Sequence, residues 1–410
     1  ANCYVVNAPG TYSFPLVYGN AINNGQVNYA AYTSKASIQG TLNPFINHLG
    51  NGITDPYIAK NTDCVPVKAE LVWQDAPSLV TDIKYNSGTN GGTISFKVDK
   101  ENIRQGNALI AIKDSQNTIL WSWHIWITDE NIYHTIKVTN HQNVSHDLMP
   151  IHLGWCEGEV INYAARSCQV QFIAHGQTRL ITVNQMRSTT STQGNCTFYE
   201  WGRKDPLRPS SGYAYKNKTW YNAAGIASTA NHAVESFPFG NECIKNYIRK
   251  PDVMQKEIGG DNTYFNLWNA DNNTNSNVYN DNPVTKTVYD PCPVGFAMPP
   301  SNTFTGFTTT GENVTNTVAK YNGEWNSSLP GWNFYCGPNK TGGTIFFPMT
   351  GERISSGGHL SAVGSLGHTW SATSTHSNYA HNLTLYTNYW VWPLDRFSKS
   401  AGHGVRPCLE

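Results

Sequence analysis

Charge is what this 410-residue chain has least of. Asp, Glu, Lys and Arg make up only 14% of it, in a balance of 28 basic to 28 acidic residues. So sparse and even a distribution leaves no electrostatic footprint for nucleic acid or anionic lipid. No apolar run reaches bilayer-spanning length, which excludes membrane insertion of this chain by a helix. No signal peptide opens it, so a processed or trimmed start is expected. The nine cysteines form an odd set without a C-x-x-C pair, which argues against a zinc ribbon and leaves at least one thiol free or paired between chains. Cys156 with Cys168 or Cys196, and Cys292 with Cys408, are the candidate bridges, with connectivity open. G-x-S-x-G, phosphate-loop and H-E-x-x-H motifs are all missing, so no catalytic residue, cofactor or metal is assigned.

Asn, Thr, Ser, Gly, Tyr and Trp fill the space that Lys and Glu occupy in most cytoplasmic enzymes. Such a composition suits short strands, many turns and a surface that recognises by hydrogen bonding and stacking. The length allows two or three domains. From Ala1 to about Thr128 the text is strand and turn. Tyr4-Val5-Val6 and Tyr12 to Val17 flank Pro9-Gly10 as an expected hairpin. Ala69 to Trp73, Asp82 to Tyr85, Thr93 to Val98, Leu109 to Ile112 and Ile119 to Ile127 complete a predicted β-sandwich, assigned to residues 1–135. Trp121, Trp123 and His124 fall in the last of these strands, read as a central strand covered on both faces.

Residues 136–410 form the expected second domain. His134, His141, His146 and His152, around the boundary, fit no close ligand spacing and are expected at the surface. Cys168 to Ile173 and Thr178 to Val183 predict a hairpin. Phe198 to Asp205 and Ala233 to Ser236 have helix-compatible compositions. Asn241 to Lys250 predicts a helix capped by Asn241 and stopped by Pro251, with Cys243, Tyr247 and Ile248 on one side. Asp261, Asp271 and Asp281 could offer oxygens to calcium, but without a D-x-D-x-D-G run a solvated loop is expected.

The stretch from Gly358 to Glu410 carries the candidate site. In Asn382-Leu383-Thr384-Leu385-Tyr386, alternation lets the leucines face a core while the polar residues and tyrosine face outward. Trp390 and Trp392 flank Val391 in the same sense, and two outward tryptophans imply something that covers them. The candidate ligand-binding residues are His368, Tyr379, His381, Asn382, Thr384, Tyr386, Asn388, Tyr389, Trp390, Trp392, Asp395, Arg396, Ser398, Lys399 and His403. Trp370, Leu383, Leu385 and Val405 are expected to hold the fold between them.

Trp201-Gly202-Arg203-Lys204-Asp205-Pro206, Asn266-Leu267-Trp268-Asn269, Tyr289 to Phe296, Trp370-Ser371-Ala372-Thr373 and Val405-Arg406-Pro407 occur in order. This set resembles the Fibrobacter succinogenes major paralogous domain. With Leu120 to Trp126 it also resembles the tip subunits of type V pili of Bacteroidales. The resemblance implies an α+β chain, with an N-terminal all-β sandwich followed by a C-type-lectin-like domain related to the formylglycine-generating enzyme fold. It departs from that pattern at Met149 to Trp155, where an altered edge is expected. The C-terminal segment is also similar to proteins varied by diversity-generating retroelements, since its Asn, Tyr, Ser, Thr, His and Asp residues are reachable from asparagine codons by changing adenines.

The implied protein is an extracellular, non-enzymatic adhesin of the cell surface, at a fimbrial tip. Its partners would be a protein or glycan ligand at the C-terminal surface and a neighbouring pilin subunit at the sandwich, by β-augmentation. The alternative is a secreted formylglycine-generating-enzyme-like or carbohydrate-active enzyme. Cys336 lacks a second cysteine nearby, and Glu324, Glu352 and Asp395 have no distinguishing context as catalytic acids. Sugar-binding C-type lectins often carry Glu-Pro-Asn or Gln-Pro-Asp with a downstream Trp-Asn-Asp; neither occurs here.

Overall fold

A computed structural model describes residues 1–158, 160–191, 193–256, 264–274, 278–375, 378–387 and 389–410. The fold is β-rich, with one α-helix among the described residues. Ile119–Ile127 is the strand on which the first region is built. It pairs antiparallel with Gly106–Lys113, which pairs with Lys68–Gln74, while Cys3–Val6 runs parallel along its other edge. Gly10–Pro15, Thr93–Val98 and Thr81–Asn86 make a separate three-stranded sheet. The hairpin expected across Pro9-Gly10 therefore does not form: its two strands enter different sheets. A turn signal marks where the chain bends, not which partner each strand finds.

One face of the Ile119–Ile127 strand meets the sandwich core, where the Trp123 ring lies 5.1 Å from Phe14, edge to face. Its other face meets the second region through polar groups. Ser122 Oγ donates to Asp205 Oδ1 at 2.7 Å, His124 lies 3.2 Å from the Tyr199 hydroxyl, and Trp126 Nε1 donates to the Trp155 carbonyl at 2.8 Å. All three are buried. One hydrophobic cluster consequently runs from Cys3 through Trp201, Trp268 and Tyr289 to Val405. Residue 135 marks a change of sheets, not a break in packing. Even the sandwich sheet is extended from beyond it, since Trp220–Tyr221 adds to Lys68–Gln74.

The second region brings its two ends together. Ile136–Thr139 pairs with Ser145–Leu148, which pairs with Cys408–Leu409, and Phe296–Ala297 closes that sheet. The motifs quoted above interlock inside it. Trp201 Nε1 donates to the Ser371 carbonyl at 2.9 Å and Trp370 Nε1 to the Tyr199 carbonyl at 2.8 Å. The Trp201 and Trp268 rings sit 5.3 Å apart, and Arg406 donates to the Met149 carbonyl at 3.1 Å. Helix Asn241–Arg249 buries Cys243, Tyr247 and Ile248 as expected, but its cap is Gly240 and Asn241 is its first residue. Ala233–Glu235 is a strand parallel to Val253–Gln255, and Phe198–Asp205 is bridge and turn. In both places tertiary pairing overrides helix propensity.

The hairpin Arg166–Ala174 with Gln177–Gln185 forms as expected, but exposed at every position. Its pairing gathers Cys168, Val170, Phe172, Ile181 and Val183 on one face. His134 and His141 are exposed, whereas His146 and His152 are buried against expectation. His146 is held by Asp281 at 3.1 Å and His152 by Thr369 at 3.1 Å. Asp281 is thus engaged with protein groups, Asp271 accepts from Thr285 at 2.7 Å, and Asp261 lies outside the described residues.

None of the expected disulfides is formed: no cysteine is bridged to another, and seven of the nine are buried. Cys292 and Cys408 belong to different core clusters, and Cys156 Sγ donates to the Asn195 carbonyl at 3.3 Å. Under native conditions Ellman's reagent should titrate Cys168 first and half-buried Cys336 more slowly, with the other seven reacting only after denaturation. A third rapid thiol would contradict this packing.

Candidate functional site

Three antiparallel strands, Leu366–Ser374, Tyr379–Tyr386 and Trp390–Ser398, carry eleven of the fifteen candidate residues, with Tyr389 in the turn before the third strand and Lys399 and His403 after it. Short Val314–Thr315 flanks the third, and Gly404–Val405 runs parallel to the first. Leu383, Leu385 and Val391 enter an aromatic core with Phe304, Phe307, Phe334 and Phe347. Within it the Phe307 and Phe334 rings stack at 4.0 Å. Trp370 and Val405 are fully buried, as the sequence predicts.

The opposite face of the middle strand does not meet water along its length. Asn382 and Thr384 are buried, as are His368, His381, Ser398, Lys399 and His403. Alternation separates two faces of a strand without saying which one is solvated. Here a further layer covers the second face. The His403 ring packs between His368 and Trp370, 4.3 Å from each, with Phe397 at 4.7 Å. His381, on the same side of the strand as the leucines, is covered by Tyr279 at 3.9 Å. Lys399 is engaged internally, donating to the Tyr264 carbonyl at 2.7 Å and sitting 4.7 Å from the Trp201 ring. These residues are scaffold and not contact surface, which corrects their assignment. Asn388 lies outside the described residues.

What remains outward is mostly aromatic. Tyr379, Tyr389 and Arg396 are exposed, while Tyr386, Trp390, Trp392 and Asp395 are half-buried. Trp390 and Trp392 stack in parallel at 4.6 Å, and Tyr386, paired with Trp390 across the strands, lies 4.9 Å from its ring. Trp392 Nε1 donates to Thr315 Oγ1 at 3.0 Å, which fixes the outer indole. A bulge then decides where the carboxylate goes. Thr384 faces Trp392 but Asn382 faces Asp395, so one extra residue in the outer strand restores Asp395 to the face that carries the tryptophans. Asp395 Oδ2 accepts from Thr384 Oγ1 at 2.6 Å, and burial holds its carboxyl above the usual range.

A second constellation lies beneath this face. His368 Nδ1 is 3.1 Å from Thr384 Oγ1. Among the described residues, Nε2 of His368 and both ring nitrogens of His403 meet no hydrogen-bond partner. The nearest acid, Glu352, stands 3.7 Å from His403 Nε2, beyond hydrogen-bond reach. An unmet buried polar group costs about 1–3 kcal/mol. Burial drives both rings toward the neutral form, His368 down to about 3 and His403 well below its ordinary value. Sequence spacing gives no hint of this grouping, because Glu352, His368 and His403 come from separate segments.

Cys336 is half-buried, and burial pushes its thiol up, away from the thiolate a nucleophile needs. His124 is a satisfied core histidine, with Nε2 at 2.8 Å from Asn107 Oδ1. Where the two regions meet, a cleft of about 350 Å³ is lined by Asp75, Arg104, Gln105, Glu157 and Lys218, none of which the sequence marks. In comparisons with known proteins the chain matches no family model, no curated protein and no solved structure. No helix among the described residues is long and apolar enough to cross a membrane.

Proposed function

We propose that this chain is an extracellular adhesin whose contact surface is the aromatic face of Tyr386, Tyr389, Trp390 and Trp392. The observation that carries the reading is the parallel Trp390–Trp392 stack, continued by Tyr386 and held on a rigid sheet that ends at the Asp395 carboxylate. Two indoles and a phenol locked in this way offer wide amphipathic area at little entropic cost, with a fixed acceptor at one end. That pairing suits a glycan, whose apolar face stacks and whose hydroxyls donate, and a protein loop equally. Residues 136–410 would be the C-type-lectin-like domain of the resemblance. Residues 1–135 would be the attachment end of a fimbrial tip subunit that receives a neighbouring pilin.

Retroelement diversification would then act on the outward positions Tyr379, Tyr386, Tyr389 and Arg396, around a tryptophan pair that adenine changes in asparagine codons cannot produce, because change at buried His368, Asn382 or His403 disrupts packing. Replacing Trp390 and Tyr386 together with alanine should weaken binding to a glycan array and to intact cells at least tenfold, since central aromatic anchors dominate such surfaces. Circular dichroism should be unchanged. Undiminished binding by the folded double variant would remove this face from consideration. Immunogold labelling confined to the periplasm would reject the fimbrial placement.

A further inference from the structure

We propose that Glu352, His368 and His403 form a site for one divalent transition-metal ion of the zinc class, bound beneath the aromatic face and independent of what that face binds. The backbone assembles the three. Thr369 pairs with Gly404 in parallel, which sets His368 beside His403, while bridges from Gly351 to Gly367 and from Arg353 to Gly402 hold Glu352 between them. One ligating atom from each residue lies within 4.8 Å of the others. Two neutral imidazoles with one carboxylate are a common zinc donor set that keeps a fourth position open.

Nδ1 of His368 is engaged on the far side of the ring: Thr384 Oγ1, which gives its proton to the Asp395 carboxylate at 2.6 Å, lies 3.1 Å away, and the Asn382 amide nitrogen lies 3.2 Å away. Nε2 meets no hydrogen-bond partner among the described residues. A metal on Nε2 would fix the tautomer with Nδ1 donating to Thr384, since a metal-bound ring donates its other N–H to a polar neighbour. His403 supplies a second imidazole with both nitrogens unmet. The Glu352 side chain is 13% exposed, so the site has an edge on solvent through which an ion enters.

In the structure the two rings stack within 12° of parallel, 4.3 Å apart. Tetrahedral coordination with arms of about 2.0–2.2 Å needs ligand atoms roughly 3.3 Å apart, so loading draws Glu352 inward and splays His368 from His403. The ion would close the turn before Gly404 onto the sheet that carries the tryptophans.

The test uses the full chain with Cys168→Ser, which removes the exposed thiol, treated with chelator and titrated with Zn²⁺ alone. Calorimetry against a competing chelator should show one ion per chain at micromolar affinity or tighter, and X-ray absorption should show two imidazoles and one carboxylate oxygen. Glu352→Gln, at the solvent edge, should weaken binding at least tenfold with the ion-free melting temperature unchanged, whereas His368→Gln, in the packed layer, should lower the ion-free melting temperature and lose the stabilisation that Zn²⁺ gives the unsubstituted chain. No saturable binding below about 100 μM, or binding that Glu352→Gln leaves intact, overturns the site.

Discussion

Lowering the pH from 7 to 5.5 should cost the fold roughly 4 kcal/mol through three histidines alone. His124, His152 and His232 are buried, and burial pushes the first down to about 3 and the others well below the ordinary 6.5. As pH falls below 6.5 the unfolded chain takes up protons that the native rings refuse. A group whose folded value is depressed in this way stabilises the base side, and that contribution shrinks with acidification until the folded value is reached. Each ring gives up about 1.4 kcal/mol per pH unit. A domain stable by about 5–15 kcal/mol is therefore brought close to unfolding. Urea denaturation midpoints measured between pH 7.5 and 5 should fall steeply in that window. A flat profile would mean these histidines are not buried neutral in the native state. His124→Gln, which keeps a polar group near Asn107, should flatten the slope by about one proton.

The second large effect is expected at Asp205. Lys204 Nζ sits 2.7 Å from each Asp205 oxygen, 2.6 Å from Ser122 Oγ and 3.0 Å from the Ser122 carbonyl, with both charged side chains buried. Burial lowers the Lys204 ammonium to about 8, and Asp205 opposes that shift. Asp205→Ala removes the counter-charge and leaves the ammonium in the interior, which costs about 3–5 kcal/mol. The double change Lys204→Met with Asp205→Leu, apolar and of similar volume, should recover most of that loss. Because the pair joins the sandwich strand to the second region, calorimetry of the single variant should show a lowered transition for the whole chain. A loss under about 1 kcal/mol would show the pair to be solvated.

How far the sequence could be read is clearest at the middle strand of the C-terminal sheet. Leu383 and Leu385 lie in the core as their spacing predicts, and Asn382 and Thr384 lie on the opposite side, also as predicted. What spacing could not show is that His403, 21 residues beyond Asn382, lies in the layer that covers this side. The bulge that aims Asp395 is equally invisible, because an unpaired residue exists only relative to a partner strand. Exposure of the whole Arg166–Gln185 hairpin was illegible for the same reason: its text matches that of a packed hairpin.

The amino-acid sequence by itself determined the local terms. These are the β-rich character, most strands of the first region, the helix from 241, the lack among the described residues of a helix able to cross a membrane, and the apolar positions that anchor the last fifty residues. Each follows from periodicity or punctuation within about ten residues, where backbone sterics and side-chain direction act. Tertiary structure decided which polar residues are buried, which cysteines stay apart, and which of the fourteen described candidate residues reach solvent. It also brought Glu352, His368 and His403 within 4.8 Å of one another. Those outcomes depend on what packs across from each element, a relation between segments up to hundreds of residues apart that no local pattern encodes.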